Sequence, residues 1–446
     1  MSVVLSGATV VTSLDPLRVT RADLAVADGR VAAAAGSGEA RRDCSGCVIV
    51  PGNVCAHTHL YSALARGMPY ALAPPENFLQ ILQRVWWRLD RALDEESVRA
   101  SALVGGMEAL LSGTTTLVDH HASPNAIDGS LDVVAGALES LGVRSVLCYE
   151  TSDRDGPERA LAGIEENRRF LARVRGGGLP LARGLVGAHA SFTLGDETLA
   201  ACAGAASEFD VGLHVHAAED GVDERDSLAR SGVRVVERLH GAGALDARTL
   251  LAHGVHLDPH EAEIVASAHA TLAHNARSNM NNAVGRAGPH VLAGRVALGT
   301  DGIGSDMFEE SRAAFFRLRE DDLGAGPDWA LARLAESSRL AARAFGEPLL
   351  GTLEPGAPAD LVVLDYAAPA PLDERSFAGH WIFGLSSRCV RDVMVAGEWT
   401  VSDRRLVRVD QQRLAAEAQN AAARLWRRLG ELPAHPYEPN SRGVPR

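Results

Sequence analysis

Residues 48–59, VIVPGNVCAHTH, carry the first indication of the fold. The apolar run Val48-Ile49-Val50 precedes the turn residues Pro51-Gly52, and His57-Thr58-His59 closes the stretch. Residues two positions apart in a strand point to the same side, so both imidazoles can bind one metal ion. Two histidines also reach this spacing by chance, so the prediction of a metal site depends on the rest of the chain.

Seven further apolar runs follow, separated by turn signals and helical stretches, and each ends in polar residues. Strands that alternate with helices predict a parallel sheet, and eight of them within about 300 residues are typical of a (β/α)8 TIM-type barrel, an α/β fold. In that fold the active-site groups lie at the carboxyl ends of the strands. The eight runs are Val48–His59, Thr114–His121, Val143–Asp153, Ala182–His189, Val211–Glu219, Thr249–His256, Thr271–Asn275 and Val296–Asp301.

Length, charge and composition narrow the class of protein. The chain has 446 residues, of which 46% are hydrophobic, more than one barrel usually needs, so we expect a second module. A formal net charge of -13 disfavours nucleic acid and anionic membranes and favours a small-molecule substrate. The first residues contain neither a basic segment nor a long apolar one, so we predict a cytoplasmic protein without a membrane anchor.

Two residue types exclude particular chemistries. All 44 residues counted as lysine or arginine are arginine, which excludes two metal ions bridged by a carbamoylated lysine, and any catalytic lysine. The six cysteines are too scattered for a disulfide framework. Cys44 and Cys47 form a CxxC pair, which we interpret as a turn, with a zinc or redox site as the alternative.

The two ends of the chain differ from the middle in their pattern of apolar and polar residues. Residues 1–50 alternate apolar and polar around the hairpin signal Asp28-Gly29, and the pattern returns near residues 359–364 and 390–396. We therefore predict a small composite β-sandwich beside the barrel, with independent terminal hairpins as the alternative. The predicted domains are the barrel at 51–351, the sandwich at 1–50 plus 352–410, and a C-terminal helix and tail at 411–446, poorly ordered from Pro433.

Residues at the ends of the fifth and eighth strands complete a metal site. Glu219 follows His216 by three positions, where it can carry protons between a metal-activated water and a leaving group. Asp301 can bind the metal with one carboxylate oxygen and accept a proton with the other. His57, His59, His216 and Asp301 then form a set of three nitrogens and one oxygen that suits one divalent ion, Zn2+ or alternatively Fe2+.

The other histidines fall into two groups. His253, at the end of the sixth strand, is placed to steer the activated water, and His189, at the end of the fourth, to contact the substrate. His214 stays ambiguous, because it lies on the same strand face as His216 but one pleat deeper. A histidine in a barrel more often bonds a backbone carbonyl than takes part in chemistry. We interpret the following histidines in that way: His240, His256, His260, His269 and His290.

Five ordered motifs resemble the amidohydrolase superfamily over nearly the whole chain, in the branch of cytosine, adenosine, guanine and chlorotriazine aminohydrolases. They are PGxxxxHTH from Pro51, HxxE from His216, AHGVH from Ala252, GTDG from Gly299 and GxLxxGxxADLVVLD from Gly351. The resemblance implies a barrel with one metal ion and a composite β domain. It implies the same roles as the residues do: His57, His59, His216 and Asp301 as metal ligands, Glu219 as proton shuttle, and His253 and His189 in contact with water and substrate.

Within that branch, shorter stretches resemble the SsnA group of aminohydrolases, which is linked to purine and selenium metabolism. They lie at residues 65–68, 86–91, 119–124, 148–156 and 304–310. In methylthioadenosine and adenosylhomocysteine deaminases a glutamate after the first strand holds a ribose, whereas this chain has Trp86-Trp87-Arg88-Leu89 in that region. This departure disfavours a nucleoside substrate.

A further set of residues is predicted to bind the substrate. Trp86 and Trp87 can stack on a flat heterocycle, or alternatively pack the helix that follows. Arg88 or Arg154 can donate to an exocyclic carbonyl. The remaining polar residues crowd the ends of the second and third strands, where they contact substrate, which we favour, or brace the metal: His120, His121, Glu150 and Asp153.

Together these observations predict an enzyme, a metal-dependent hydrolase of non-peptide C–N bonds that deaminates a guanine-like purine or a pterin. One alternative keeps the site and changes the leaving group to chloride, an alkylamine or the C–N bond of a cyclic amide. Others are an accessory role beside a purine- or selenium-linked hydroxylase, and a non-catalytic scaffold. We further expect a homodimer or higher homo-oligomer with no nucleic-acid or membrane partner.

Overall fold

The computed structural model describes residues 2–34 and 40–435. The chain begins with seven short strands: β1 (Val3–Ser6), β2 (Thr9–Leu14), β3 (Leu17–Arg21), β4 (Leu24–Ala27), β5 (Arg30–Ala32), β6 (Ala40–Asp43) and β7 (Cys47–Pro51). The predicted turn at Asp28-Gly29 joins β4 to β5, and both residues have positive φ, 51° and 78°. That backbone matches the twist of a two-residue hairpin, which explains the aspartate-glycine pair.

The barrel follows directly. Its strands are β8 (Asn53–Thr58), β9 (Thr114–His121), β10 (Arg144–Tyr149), β11 (Ala182–Gly184) with β12 (Val186–Ala190), β13 (Leu213–Ala217), β14 (Leu250–His253), β15 (Thr271–His274) and β16 (Val296–Leu298). All neighbours pair in parallel, and β11 and β12 form the fourth strand, interrupted at Leu185. Bridges between Thr58 and Asp301 and between Thr151 and Ala188 join the two halves. The predicted fold class is confirmed.

Helices connect the barrel strands, and their ends follow local sequence rules. α3 and α9 begin at capping boxes, and α4 and α13 end at glycines in the left-handed region. The helices are α1 (Phe78–Ile81), α2 (Trp87–Ala92), α3 (Glu95–Leu111), α4 (Ser130–Leu141), α5 (Pro157–Arg175), α6 (Asp196–Glu208), α7 (Gly221–Ser231), α8 (Val235–Gly241), α9 (Pro259–Ser267), α10 (Ala276–Asn281), α11 (Pro289–Leu292), α12 (Met307–Arg319) and α13 (Asp328–Phe345).

The first predicted strand is in fact two strands in two different sheets. The Pro51-Gly52 turn divides the run Val48–His59, so that β7 pairs outside the barrel and β8 within it. Proline has no amide hydrogen to donate to a ladder, which suits the last residue of a strand. The run Val48–His59 therefore contains two strands, which are separated at the turn that the sequence indicates at Pro51-Gly52.

Strands from both ends of the chain pair in the second module. β17 (Leu361–Asp365), β18 (Val390–Val395), β19 (Glu398–Ser402) and β20 (Arg405–Leu406) join β7, β2 and β3 in a seven-stranded sheet of order β20-β19-β18-β17-β7-β2-β3. A four-stranded sheet of order β5-β4-β1-β6 shares a core with it, including Leu5, Ile49 and Leu361. The exact domain boundaries remain predictions.

The C-terminal region lies against the barrel. α14 (Phe377–Phe383) packs on α12 and α13, and α15 (Gln411–Glu431) packs on α2 and α3. The tail predicted to be poorly ordered lies, from residue 436 onward, outside the described residues. Across 2–34 and 40–435, every helix is too short or too polar to cross a membrane.

A buried ion pair joins the sandwich to the barrel. Arg144, the first residue of β10, donates from Nε and Nη2 to the two carboxylate oxygens of Asp360, at 2.6 and 3.1 Å. Asp360 also accepts from the backbone of Ala396, and both charged side chains are more than nine-tenths buried. Asp360 belongs to the ADLVVLD motif, and its position gives that aspartate a structural role.

Replacing Asp360 by asparagine should lower the free energy of unfolding by about 3 to 5 kcal/mol, because the Arg144 guanidinium stays buried without its counter-charge. Urea unfolding followed by circular dichroism measures the change. Glu347→Gln is the matched control, because it removes a two-bond arginine–carboxylate pair, with Arg30, that is one-third to one-half exposed. A loss for Asp360→Asn no larger than that of the control would refute the structural role.

Candidate metal centre

Four side chains converge at the carboxyl end of the barrel. β8 provides His57 and is followed directly by His59, β13 provides His216, and Asp301 follows β16. One ligand atom from each lies within 4.8 Å of all the others. His59 Nε2 is 3.0 Å from His216 Nε2 and 3.1 Å from one oxygen of Asp301. The three nitrogens and one oxygen form a set that a divalent ion such as Zn2+ accepts.

Each of the three histidines uses its other nitrogen to hold its ring in place. Nδ1 of His59 donates to the carbonyl of His120 at 2.6 Å, and Nδ1 of His216 donates to the carbonyl of His189 at 2.8 Å. Nδ1 of His57 lies 2.9 Å from Nε2 of His214. Nε2 of His57 is buried without a hydrogen-bond partner, which is costly unless a cation binds there. The residues therefore fit a metal ion.

Asp301 is fixed by contacts on several sides. Its backbone has a φ of 53°, which a side-chain-bearing residue rarely adopts outside constrained sites. The hydroxyl of Ser278 donates to one carboxylate oxygen, and that of Thr58 donates to the backbone carbonyl at 3.0 Å. Burial alone would raise the pKa of Asp301, but the imidazoles of His57 and His59, whose Nε2 atoms lie 3.5 and 3.1 Å from one of its oxygens, lower it well below its usual range. The carboxylate is thus ionised and ready to bind a cation.

Glu219 and His253 lie beside the metal-facing set. Glu219 Oε2 is 3.6 Å from His253 Nε2, and the amide of Asn282 donates to Glu219 Oε1 at 3.3 Å. Burial, and then the negative charge of Asp301, raise the pKa of Glu219 well above its usual range. A carboxyl group that holds its proton at neutral pH can act as a general acid.

His253 is oriented from behind. Its Nδ1 bonds Oδ1 of Asn279 at 2.8 Å, and its Nε2 is buried with no hydrogen-bond partner. The backbone φ of His253 is 74°, a second constrained position at a strand end. The free nitrogen lies on the side of Glu219, where it can contact a water or a reacting group.

A cleft that is partly open to solvent lies over these groups. Its lining combines aromatic and aliphatic side chains with the ionisable groups. A single π-helical turn, Leu82–Trp86, lies between α1 and α2 and ends at a lining residue. The apolar wall is formed by Tyr61, Phe78, Leu82, Trp86, Trp87 and Phe192.

The structure brings four of the residues predicted to bind substrate to this cleft: Trp86, Trp87, Glu150 and His189. Glu150 accepts from Nδ1 of His120 at 3.0 Å and lies 3.6 Å from Nε2 of His189. Burial alone would raise the pKa of Glu150, but His189, His120 and His59 lower it below its usual range. The carboxylate is therefore an ionised hydrogen-bond acceptor in the cleft.

Two of the predicted substrate residues lie directly behind that wall. The Arg154 guanidinium donates to Asp90 at 3.0 Å and to Glu150 at 3.4 Å, and it stacks 4.9 Å from the ring centre of Trp87. His121 bonds the Ser123 hydroxyl through Nε2 at 2.9 Å. Arg154 braces two lining residues, so the direct substrate contact predicted for it is corrected to a supporting position, and the same correction applies to His121.

Two further predictions are contradicted by position. The Arg88 guanidinium donates to the carbonyls of Leu429 and Leu432 and so turns towards the C-terminal helix rather than the cleft. The Asp153 carboxylate accepts from the backbone of Gly195 at 2.6 Å and from the Thr198 hydroxyl at 2.7 Å. Arg88 therefore anchors the end of the C-terminal helix, and Asp153 anchors the segment at the start of α6.

Sequence reasoning missed the polar residues that follow β15. Ser278, Asn279 and Asn282 contact Asp301, His253 and Glu219, one each. They lie in the stretch Asn275-Ala276-Arg277-Ser278-Asn279-Met280-Asn281-Asn282, at the end of the seventh predicted strand. The many asparagines of this stretch could have predicted a contribution to the site, since a parallel barrel places the residues that follow one strand beside the ends of the other strands.

Comparisons with known proteins agree with this geometry. The profile of the Amidohydrolase family matches residues 48–400. A 5-methylthioadenosine/S-adenosylhomocysteine deaminase of Nitratidesulfovibrio vulgaris is 33% identical over 447 residues, 96% of this chain and 98% of the relative. An 8-oxoguanine deaminase of Pseudomonas aeruginosa is 34% identical over 438 residues, 90% of this chain and 94% of the relative. The solved structure of an adenosine deaminase from Xanthomonas campestris with bound zinc matches at a TM-score of 0.81 and 23% identity, over 95% of this chain and 98% of that one.

Substitution of His216 by alanine should strongly weaken metal binding, because it removes one of the three nitrogen ligands that face the ion. Metal content after dialysis, measured by mass spectrometry of the elements, should fall from about one divalent ion per chain to a small fraction of that. His240→Ala serves as the control, since His240 is exposed. Equal metal content in His216→Ala and the parent would place the ion elsewhere.

Proposed function

This chain belongs to the amidohydrolase family, and we propose that it hydrolytically deaminates an aromatic nitrogen heterocycle, a guanine-like purine base or a pterin. It is a hydrolase that acts on C–N bonds. The observation that carries the proposal is the position of the buried Glu219, 3.6 Å from His253 and beside the set of His57, His59, His216 and Asp301, in a cleft lined by aromatic side chains. Such a site unites a nucleophile, a proton donor and a flat pocket.

The residues divide the steps of deamination among them. A divalent ion, when bound, lowers the pKa of a water from about 16 towards about 7. Glu219 then protonates the ring nitrogen next to the amino-bearing carbon as that carbon is attacked. Asp301 accepts the proton that remains on the attacking oxygen, and His253 orients it through the free Nε2. The amino group takes up the proton held by Asp301 and leaves as ammonia as its C–N bond breaks, and the first proton lost by the water replaces the one that Glu219 gave up.

A free base suits the cleft better than a nucleoside does. A ribose needs a carboxylate or another acceptor for its two hydroxyls. Among the cleft residues that lie between β8 and α3 in the described chain, none carries a carboxylate, and the Ser62 hydroxyl already donates to the carbonyl of His59. Of the relatives, the 8-oxoguanine deaminase therefore offers the better guide to substrate, an oxidised guanine-like base.

The floor of the cleft has the polarity that such a base requires. Glu150 offers an ionised acceptor for a ring N–H, while Glu219 offers a proton to a ring nitrogen. A lactam-rich purine such as 8-oxoguanine presents N–H groups along its edge, and the aromatic wall can cover its flat face. This complementarity supports a purine or pterin with several ring N–H groups.

A different leaving group in the same site is the second candidate. Chloride, an alkylamine or a cyclic amide would meet the same nucleophile, and the ligand set does not distinguish between them. Neither the metal-facing residues nor Glu219 would change. Analysis of the product separates these reactions, because only deamination releases ammonia from a primary amine.

The remaining attributes belong to the same proposal. We propose one Zn2+ per chain, with Fe2+ as the alternative metal. Membership of the SsnA group, a link to purine or selenium metabolism, a cytoplasmic location and a homodimer or higher homo-oligomer are further parts of it. A small heterocyclic substrate is the partner that the cleft supports.

Ammonia release by the zinc-loaded protein over a panel of aminopurines, pterins, pyrimidines and aminotriazines tests the reaction. We expect turnover of an oxidised guanine-like base, and a fall in kcat of about 10²- to 10⁴-fold in Glu219→Gln, which keeps the size of the side chain but cannot deliver its proton. Glu197→Gln, on the exposed start of α6, is the control. Full activity of Glu219→Gln would overturn its role, and release of chloride or a ring-opened acid without ammonia would favour the second candidate.

Replacing Trp86 by leucine tests the aromatic wall. Loss of stacking on a flat base should weaken substrate binding by about 1 to 3 kcal/mol, seen as a KM roughly five- to a hundredfold higher with a smaller change in kcat. Trp399→Leu, in the sandwich strand β19, controls for the loss of a partly buried tryptophan. An unchanged KM would assign Trp86 to helix packing, the alternative that its sequence left open.

A further inference from the structure

The three metal-facing histidines are not held in the same way. His59 and His216 donate to backbone carbonyls, those of His120 and His189. Among the three, only His57 has a side chain as the partner of its Nδ1, namely Nε2 of His214 at 2.9 Å. A carbonyl is present whatever the residue, whereas the acceptor for His57 exists only because residue 214 is a histidine.

Hydrogen-bond logic assigns the tautomers along this contact. Nε2 of His57 must be without hydrogen to bind a cation, so Nδ1 carries the hydrogen and donates to His214. His214 then accepts at Nε2 and carries its own hydrogen on Nδ1, which lies 3.6 Å from the sulfur of Cys148. The Cys148 thiol in turn lies 3.6 Å from the carbonyl of Asp119. The bonds run in one direction, from His57 to the backbone of β9.

The whole chain of contacts is closed to solvent. His57, His214 and Cys148 are fully buried. Nε2 of His120 donates to the carbonyl of His214 at 3.1 Å, which fixes the backbone of β13 at this level. Water cannot replace a lost acceptor unless a new cavity forms. A substitution at residue 214 that removes the acceptor therefore leaves Nδ1 of His57 without a hydrogen-bond partner.

We propose that His214 is a positioning residue, which holds His57 in the ring orientation and tautomer that metal binding needs, and that Cys148 fixes the tautomer of His214. His214 lies one pleat below the metal-facing residues and is not a ligand itself. The proposal needs the four-residue metal site, but it holds for any substrate and any leaving group.

Zinc affinity of the full-length protein, measured by competition with a chromophoric chelator, tests the role without any enzyme assay. His214→Phe removes the acceptor and should weaken zinc binding by about 10- to 100-fold. His214→Gln places a carbonyl oxygen near the former Nε2 and should recover most of that loss. His274→Phe, at a buried histidine of β15 that no metal-facing residue contacts through a hydrogen bond, should leave the affinity unchanged.

Cys148 provides the second pair of variants. Cys148→Ala leaves Nδ1–H of His214 without an acceptor, so we expect zinc binding several-fold weaker. Cys148→Ser keeps an acceptor and should stay closer to the parent. If His214→Phe does not fold, as judged by the thermal unfolding of the metal-free protein, His214→Asn replaces it, because that shorter side chain cannot reach His57.

Cobalt substitution separates positioning from ligation. His120, Cys148 and His214 lie close enough together to form a ligand cluster of their own. Positioning predicts a cobalt spectrum without a thiolate-to-metal charge-transfer band, and visible bands that change in His214→Phe. A thiolate band that disappears in Cys148→Ser would overturn the proposal, as would unchanged zinc affinity in His214→Phe. A protein that deaminates no heterocycle but still loses zinc in His214→Phe would refute the proposed function and leave this inference intact.

Discussion

The site depends on one constraint: three imidazoles must present the same nitrogen, Nε2, to a single point. Each ring can do so only if Nδ1 has an acceptor on its other side. For His59 that acceptor is a carbonyl at the end of β9, and for His216 it is a carbonyl of β12. Both strands are the barrel neighbours of the strand that carries the histidine. The pairing of β8 with β9 and of β12 with β13 therefore also sets the orientation of two metal-facing rings.

Neighbouring charges shift the pKa values of three buried carboxyl groups in different directions. Asp301 and Glu150 face several imidazoles and have lowered pKa values, whereas Glu219 faces Asp301 and an amide and has a raised pKa. One cleft thus contains a metal-facing carboxylate, an acceptor for the substrate and a proton donor. The division arises from the neighbours of each group, because all three groups are buried.

The sequence predicted the fold and the convergence of the metal-facing residues more fully than the wall of the cleft. Alternation of strands and helices is a regular signal, and it places His57, His216 and Asp301 at one end of the barrel whatever the loops do. Arg88 and Asp153 could not be placed in this way, because neither residue lies on a barrel strand and each side chain bonds a partner that the strand pattern does not predict. The Ser278 hydroxyl and the amides of Asn279 and Asn282 were within reach of the same reasoning, since they too follow a strand.

The Pro51-Gly52 turn has a consequence for how this chain is made. β7 and β8 are consecutive, yet β7 pairs with β17, near the other end of the chain, while β8 begins the barrel. The first two metal-facing histidines leave the ribosome long before the strand that completes the sheet next to them. Contacts so distant in sequence form late and slowly. Until β17 is made, β7 can pair with β2 on one side only, so one edge of a strongly apolar strand stays open beside the future active site.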